Sequence, residues 1–354
     1  MELLSRKIFQ MFDKNKKLAI FMEGNLDTDY GKMGFGVMRY SQQPIACAID
    51  TKYSGQTVRE AVGLPFDIPV VSSIKKAKEM GSEVLVLGIA PSGGKFPDEW
   101  DAPMETALGL GMSLVNGLHD DLNARYGHLL KSPDQKIWDV RKPASNIPIA
   151  RARAAKLSNK RVLLVGTDMA AGKMTAGLEV YKWIKAQGIS TDFLATGQIG
   201  ITVTGKGIPL DAIKVDKACG AVEELVLGAK DKDIVFIEGQ GSLLHPGSTA
   251  TLPLMRGSCA THLILCHRAD MNTLRNPTHV KIPPFKDFIK LNEDLTGVCG
   301  SLTPAKTVGI ALNTSRISEE EAIAMIERLE KETGLPVTDV IRFGAEKLGK
   351  PLLL

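Results

Sequence analysis

The chain has 354 residues, 44% of them hydrophobic, with 34 glycines and 18 prolines; this is the composition of a globular α/β protein, too long for one ordinary core. Its 44 basic and 40 acidic residues leave a net charge of +4 with no basic block, which suits anionic small molecules. No nucleic-acid-binding motif, no C-x-x-C pair among the five cysteines and no apolar run near ~18 residues is present, which argues against nucleic-acid partners, disulfide or zinc scaffolds and membrane spans.

The opening stretch MELLSRKIFQMFDKNKK mixes charged and apolar residues. It reads as an amphipathic helix rather than a signal peptide, so a cytoplasmic protein is expected. KLAIFME (17–23) and PIACAID (44–50) follow as apolar strands, the second ending on Asp50. IPVVSS leads into a helical stretch, IKKAKEMG, stopped by Gly81, and EVLVLGIA (83–90) is a third buried strand. A helix is expected around Ala102–Gly109. Between Lys131 and Leu157 the chain is rich in proline and charge, and its three prolines mark a domain junction.

Beyond it come strands at KRVLLVG, STDFLATG, DIVFIEG, THLILCH and TVGIALN, with helical stretches between them. KMTAGLEVYKWIKAQG carries Leu178, Tyr181 and Ile184 on one face and stops at Gly188. SEEEAIAMIERLEKETG opens on a capping box, Ser318 with Glu321, and stops at Gly334. Strands alternating with helices predict two doubly wound parallel-sheet domains: a Rossmann-like one over 1–145 and a P-loop NTPase-like one over 146–354. Ligands in such sheets gather at the carboxyl ends of the strands.

The segment VGTDMAAGKMT lies between a strand and a helix, where a phosphate loop belongs. Gly166, Thr167, Asp168, Gly172, Lys173, Met174 and Thr175 are its candidate ligand-binding residues, with five residues between Gly166 and Gly172. Glycines let backbone N–H groups face an anion, the helix N-terminus adds partial positive charge, and Lys173 adds a full one. The residue after Lys173, usually a magnesium-binding Ser or Thr, is Met174, whose thioether is a poor partner for a hard cation. Thr175 takes that role if the helix start shifts by a residue, or bonds a second phosphate. Phosphate binding is therefore expected and a metal site is not.

Glu238 ends the strand DIVFIEG and is the first candidate for a general base, with His245 in the following Gly/Pro-rich loop as the second. TGQIGITVTGKG is Gly- and Thr-rich and reads as a loop that brings backbone close to a ligand. In LILCHRADMNTLRNPTH, His267, Arg268, Asn272 and Arg275 cluster after a strand, and the guanidinium forks suit carboxylate binding. Cys259 and Cys266 read as small buried apolar residues. DYGKMGFGVMRY, Asp50 (where Rossmann folds often place a ribose-binding acid) and APSGGK together suggest a second ligand surface in the N-terminal half.

GTDMAAGKMT with FIEGQGS is similar to the dethiobiotin synthetase group of P-loop enzymes, departing from it at Met174. A resemblance covering nearly the whole chain is carried by GKMGFGVMRYSQQPIACAID, GTDMAAGKMTAGLEV, FIEGQGSLLHP and TGLPVTDVIRFG. These resemble the D-glutamate N-acetyltransferase (DgcN-like) family, which joins a Rossmann-like domain to a P-loop domain. The resemblance implies acetyl transfer from acetyl-CoA to the amine of D-glutamate in D-amino-acid catabolism. It also implies acetyl-CoA as donor substrate, with no tightly bound cofactor or metal. Small-molecule substrates and a homo-oligomer are the expected partners, with no nucleic acid or membrane. An ATP-dependent ligase or kinase acting on a small carboxylic acid, with Thr175 on magnesium, is the enzymatic rival. A nucleotide-sensing or partner-binding P-loop protein is the non-enzymatic one.

Overall fold

Short apolar runs pair in parallel into two separate six-stranded sheets. The computed structural model describes residues 12–354, and the helix expected at the N-terminus falls outside them. The described residues divide into two compact units, one holding residues 12–143 together with Gln198–Ala212, the other Ala144–Gly197 and Ile213–Leu354.

In the first unit the strands are β1 (Leu18–Phe21), β2 (Ile45–Ile49), β3 (Val70–Val71), β4 (Val84–Leu87), β5 (Ser113–Asn116) and β6 (Ile137–Asp139), ordered β3-β2-β1-β4-β5-β6. The order reverses between β1 and β4, the switch point of a doubly wound sheet. Phe21, Phe96 and Trp100 pack edge to face beneath it, with ring centroids 5.4 and 5.7 Å apart. The sequence shows three of these strands plainly. The others have only two to four residues, and Ser113, Asn116 and Asp139 interrupt their apolar pattern. The edge strand β6 lies inside the proline-rich junction, between Pro133 and Pro143, because neither proline falls within it.

The second sheet contains β7 (Lys160–Gly166), β8 (Thr191–Leu194), β9 (Ile234–Ile237), β10 (His262–Arg268), β11 (Lys306–Asn313) and β12 (Val337–Thr338), ordered β12-β11-β10-β7-β9-β8. Five of the six are the expected strands, and β12 is a two-residue edge. The helix Lys173–Ala186 follows β7. The helix Glu319–Thr333 opens on the Ser318–Glu321 capping box and ends on Gly334 at φ 72°.

TGQIGITVTGKG folds differently from its expected loop. Gln198–Thr204 is helical and belongs to the first unit, where Ile199 packs on the helix Lys32–Tyr40. A Cβ on Gly36 would stand 2.4 Å from the Ile199 methyl, so only glycine allows this approach. Tertiary packing here overrides the low helix propensity of glycine and β-branched residues.

At the amino-terminal end of β7 the Arg161 guanidinium is buried among carbonyls. Its Nε donates to Ser258 O (3.1 Å) and Cys259 O (3.0 Å), and its Nη1 to Leu157 O (3.0 Å) and Asn159 O (2.9 Å). Nearby, the buried Glu223 carboxylate accepts the Arg151 and Arg153 backbone N–H groups and the Arg153 side chain. This anchors the segment entering β7 to the helix Val215–Leu227. Among the described residues no helix is long and apolar enough to cross a membrane.

Candidate functional site

The strand order places β7, with its phosphate loop, between β9 and β10. The carboxyl ends of these three strands bring together the loop Gly166–Lys173, Glu238, His267 and Arg268. Gly172 adopts φ +95° just before the helix, a left-handed turn that a side chain would strain. Gly239 passes so close to β7 that a Cβ would stand 1.7 Å from Leu164 O and 2.8 Å from Lys173 Cδ.

Lys173 is almost wholly buried. Its Nζ donates to the loop's own carbonyls, Asp168 O at 2.7 Å and Met169 O at 2.9 Å. Burial pulls its ammonium down to about 8, against the opposing pull of Cys266, Asp168 and Glu238. The Asp168 carboxylate accepts the Met169 N–H (2.6 Å) and the Arg275 backbone N–H (2.9 Å). It thereby pins the segment after β10 to the phosphate loop. Thr167 Oγ1 lies 2.9 Å from His267 Nδ1, and the His267 ring stands edge-on to Phe285. Burial lowers His267 to about 4, so the ring is neutral at pH 7. Met174 and Thr175 are half-buried in the first turn of the helix, and Met169 is exposed at the loop.

Glu238 is buried, and its Oε2 accepts two backbone N–H groups, Thr196 at 2.8 Å and Gly197 at 3.0 Å. Thr196 Oγ1 returns a bond to Glu238 O at 2.7 Å. The other carboxylate oxygen, Oε1, faces Gly197, whose Cβ would meet it at 3.3 Å and the Gln240 amide nitrogen at 2.2 Å. The sequence reading missed Thr196, Gly197 and Gln240 as neighbours of this carboxylate. For Thr196 and Gly197 the signal is the Gly- and Thr-rich run that begins one residue past β8; Gln240 carries none.

His245 is half-buried, with Nδ1 accepting the Gly247 N–H at 3.1 Å. A neutral ring held this way carries its proton on Nε2 and presents a donor outward. Arg268 closes a two-bond fork on Asp270, Nε to Oδ1 at 3.1 Å and Nη2 to Oδ2 at 2.7 Å. Asn272 and Arg275 are exposed on the following loop, which is closed by backbone bonds from Leu274 N to Val280 O and from Ile282 N to Asn272 O. Cys266 is buried and its thiol is pushed up to about 12, as its reading as a small apolar residue expects. In the first unit Asp50 is fully buried and accepts the Leu26 and Lys52 backbone N–H groups. It braces the turns after β1 and β2 instead of facing a ribose.

Comparison with known proteins places this geometry in a family. A family model described as a domain of unknown function, DUF1611_C P-loop domain, matches residues 148–349. The corresponding DUF1611_N Rossmann-like domain matches 51–143. Two relatives, from Tritonibacter scottomollicae and a Pseudoalteromonas species, are each named D-glutamate N-acetyltransferase. They are 36% and 35% identical over 279 residues, covering 78% of this chain and 83% of each relative. A crystal structure of a DUF1611 family protein from Anabaena variabilis superposes with a TM-score of 0.92 at 47% identity, covering 96% of this chain and 99% of that one. With both domains matched and these relatives aligned along most of its length, the chain belongs to the DUF1611, D-glutamate N-acetyltransferase-like family, a Rossmann-like domain joined to a P-loop domain.

Proposed function

We propose that this protein is an N-acetyltransferase that moves the acetyl group of acetyl-CoA to the amine of D-glutamate or a similar amino acid, in D-amino-acid catabolism. The observation that carries the reading is the 36% identity to a D-glutamate N-acetyltransferase over most of both chains. The phosphate loop fits it. Lys173 stands at the helix N-terminus beside a glycine turn, while the residue after it, Met174, offers no hydroxyl to magnesium. The phosphates of CoA serve as a handle and stay intact, so the loop needs a cation and N–H groups but no metal-binding hydroxyl.

In the reaction the acceptor ammonium gives up a proton, its nitrogen attacks the thioester carbonyl, and the C–S bond breaks to release CoA as the thiol. Glu238 Oε1 is our first choice for the base and His245 the second, which must first give up its bond to Gly247. Arg275, Asn272 and Arg268 are the candidates for holding acceptor carboxylates, with Arg268 needing release from Asp270. The test is thiol release from acetyl-CoA across a panel of D- and L-amino acids. Acetyl transfer to an acidic amino acid supports the reading. Magnesium-dependent ADP formation with a small carboxylic acid, and no thiol release, replaces it with a ligase or kinase.

A further inference from the structure

The N-terminal unit contains an arginine whose carboxylate-binding edge is only half used. Arg141 follows β6, and beside it stand His119, which follows β5, and Gly94, in the loop after β4. The His119 backbone N–H donates to Gly94 O at 3.0 Å. Gly94 has φ +64°, and a Cβ there would lie 2.6 Å from the His119 ring and 3.6 Å from Arg141 Nη1. The loop can close over this pair only because it is glycine.

The Arg141 Nη1 pairs with His119 Nε2, and Nη2 lies 3.2 Å from Asp211 Oδ2. The Nε is buried without a hydrogen-bond partner. The side chain is only 13% exposed, so solvent has little access to that edge. Elsewhere the chain completes the same fork. Arg268 meets Asp270 through Nε and Nη2, and Arg59 meets Asp67 through Nε (2.6 Å) and Nη2 (3.0 Å). Asp211 offers Arg141 one oxygen where the guanidinium edge accommodates two. Since His119 accepts at Nε2, its neutral ring carries the proton on Nδ1 and offers a second donor from an exposed position. The other nearby carboxylate, Asp120, is engaged by the Phe96 N–H at 2.7 Å, and Lys95 is exposed in the glycine loop.

We propose that Arg141 and His119 form a receptor for the carboxylate of a small organic acid, and that Asp211 is an internal stand-in which the ligand displaces. A free carboxylate would satisfy Nε and Nη2 together, which Asp211 does not. The carboxylate site does not rest on the acetyl-transfer reading.

The experiment is calorimetric titration of the full chain with glutarate, which has the carboxylates and no amine to acetylate. Asp211→Asn is expected to bind glutarate about tenfold more tightly than wild type, because it removes the competing charge. Arg141→Lys added to Asp211→Asn is expected to abolish that gain, since an ammonium cannot form the fork. Glutarate binding no tighter in Asp211→Asn than in wild type overturns the proposal, as does a gain that survives Arg141→Lys. An Arg141-dependent gain without thiol release on any amino acid leaves the carboxylate site standing and removes the acetyl-transfer reading.

Discussion

The Glu238 carboxylate lies 2.8 Å from the backbone nitrogen of Thr196, and the next residue, Gly197, gives it a second N–H. The carboxylate is therefore both a candidate base and the acceptor that satisfies two buried amides, and two substitutions separate these roles. Glu238→Gln keeps an acceptor oxygen for the amides and removes the basic one. It is expected to lower kcat by about a hundredfold with little change in thermal midpoint. Glu238→Ala leaves both amides unmet and is expected to lose about 2–4 kcal/mol of stability in denaturant titration. Near wild-type turnover of Glu238→Gln at saturating substrates would remove Glu238 as the base.

Lys173 links ligand binding to a stability cost. Its folded-state value of about 8 lies below the ordinary lysine value of 10.5, so between these limits the unfolded chain binds more protons than the folded one. Stability from this group accordingly rises as pH climbs from about 8 to 10.5, and below about 8 the cost of burying the ammonium is present in full. Lys173→Met should remove that rise, hold or raise the thermal midpoint at pH 7, and weaken CoA binding about tenfold or more. Unchanged CoA affinity in calorimetry would exclude the phosphate role.

His267 acts in the acid range. Its value near 4 lies below the ordinary 6.5, so the unfolded chain takes up the proton first as pH falls. The stability it permits is present above about 6.5 and is lost as pH falls toward 4, by about 3 kcal/mol. His267→Gln keeps a polar partner for Thr167 and cannot titrate. The difference in unfolding free energy between wild type and this variant should change across that window and be flat above it.

Arg161 has no carboxylate among its hydrogen-bond acceptors and serves four backbone carbonyls. Arg161→Met leaves those acceptors buried and unmet. It is expected to cost about 3–5 kcal/mol in chemical denaturation, while the carboxyl-end site keeps its CoA affinity in whatever fraction remains folded.

The readable parts of the sequence were those where local chemistry alone sets the structure. The apolar run Val162–Val165 of β7, the Gly172–Lys173 turn and the Ser318–Glu321 cap are each signalled by residues adjacent in the chain. β3, β5, β6 and β12 were not legible, because β3 and β12 have only two residues and Ser113, Asn116 and Asp139 break the apolar pattern of β5 and β6. The site shows the same division. Strand ends located Lys173 and Glu238, but nothing in EGQGS shows that the amides holding Glu238 follow β8. Nor does the run NGLHDDL or DVRKPA reveal that Arg141 and His119 meet.

The segment Gln198–Ala212 lies within the P-loop half of the sequence yet folds as part of the Rossmann-like unit. Cutting the chain at its proline-rich junction would therefore not yield two self-sufficient pieces. A fragment ending at Pro143 would lack the Ile199 side chain that covers Gly36 and the Asp211 carboxylate beside Arg141. The two halves are interleaved rather than strung end to end, so swapping one half between relatives requires carrying this fifteen-residue insert with its structural host rather than with its neighbours in sequence.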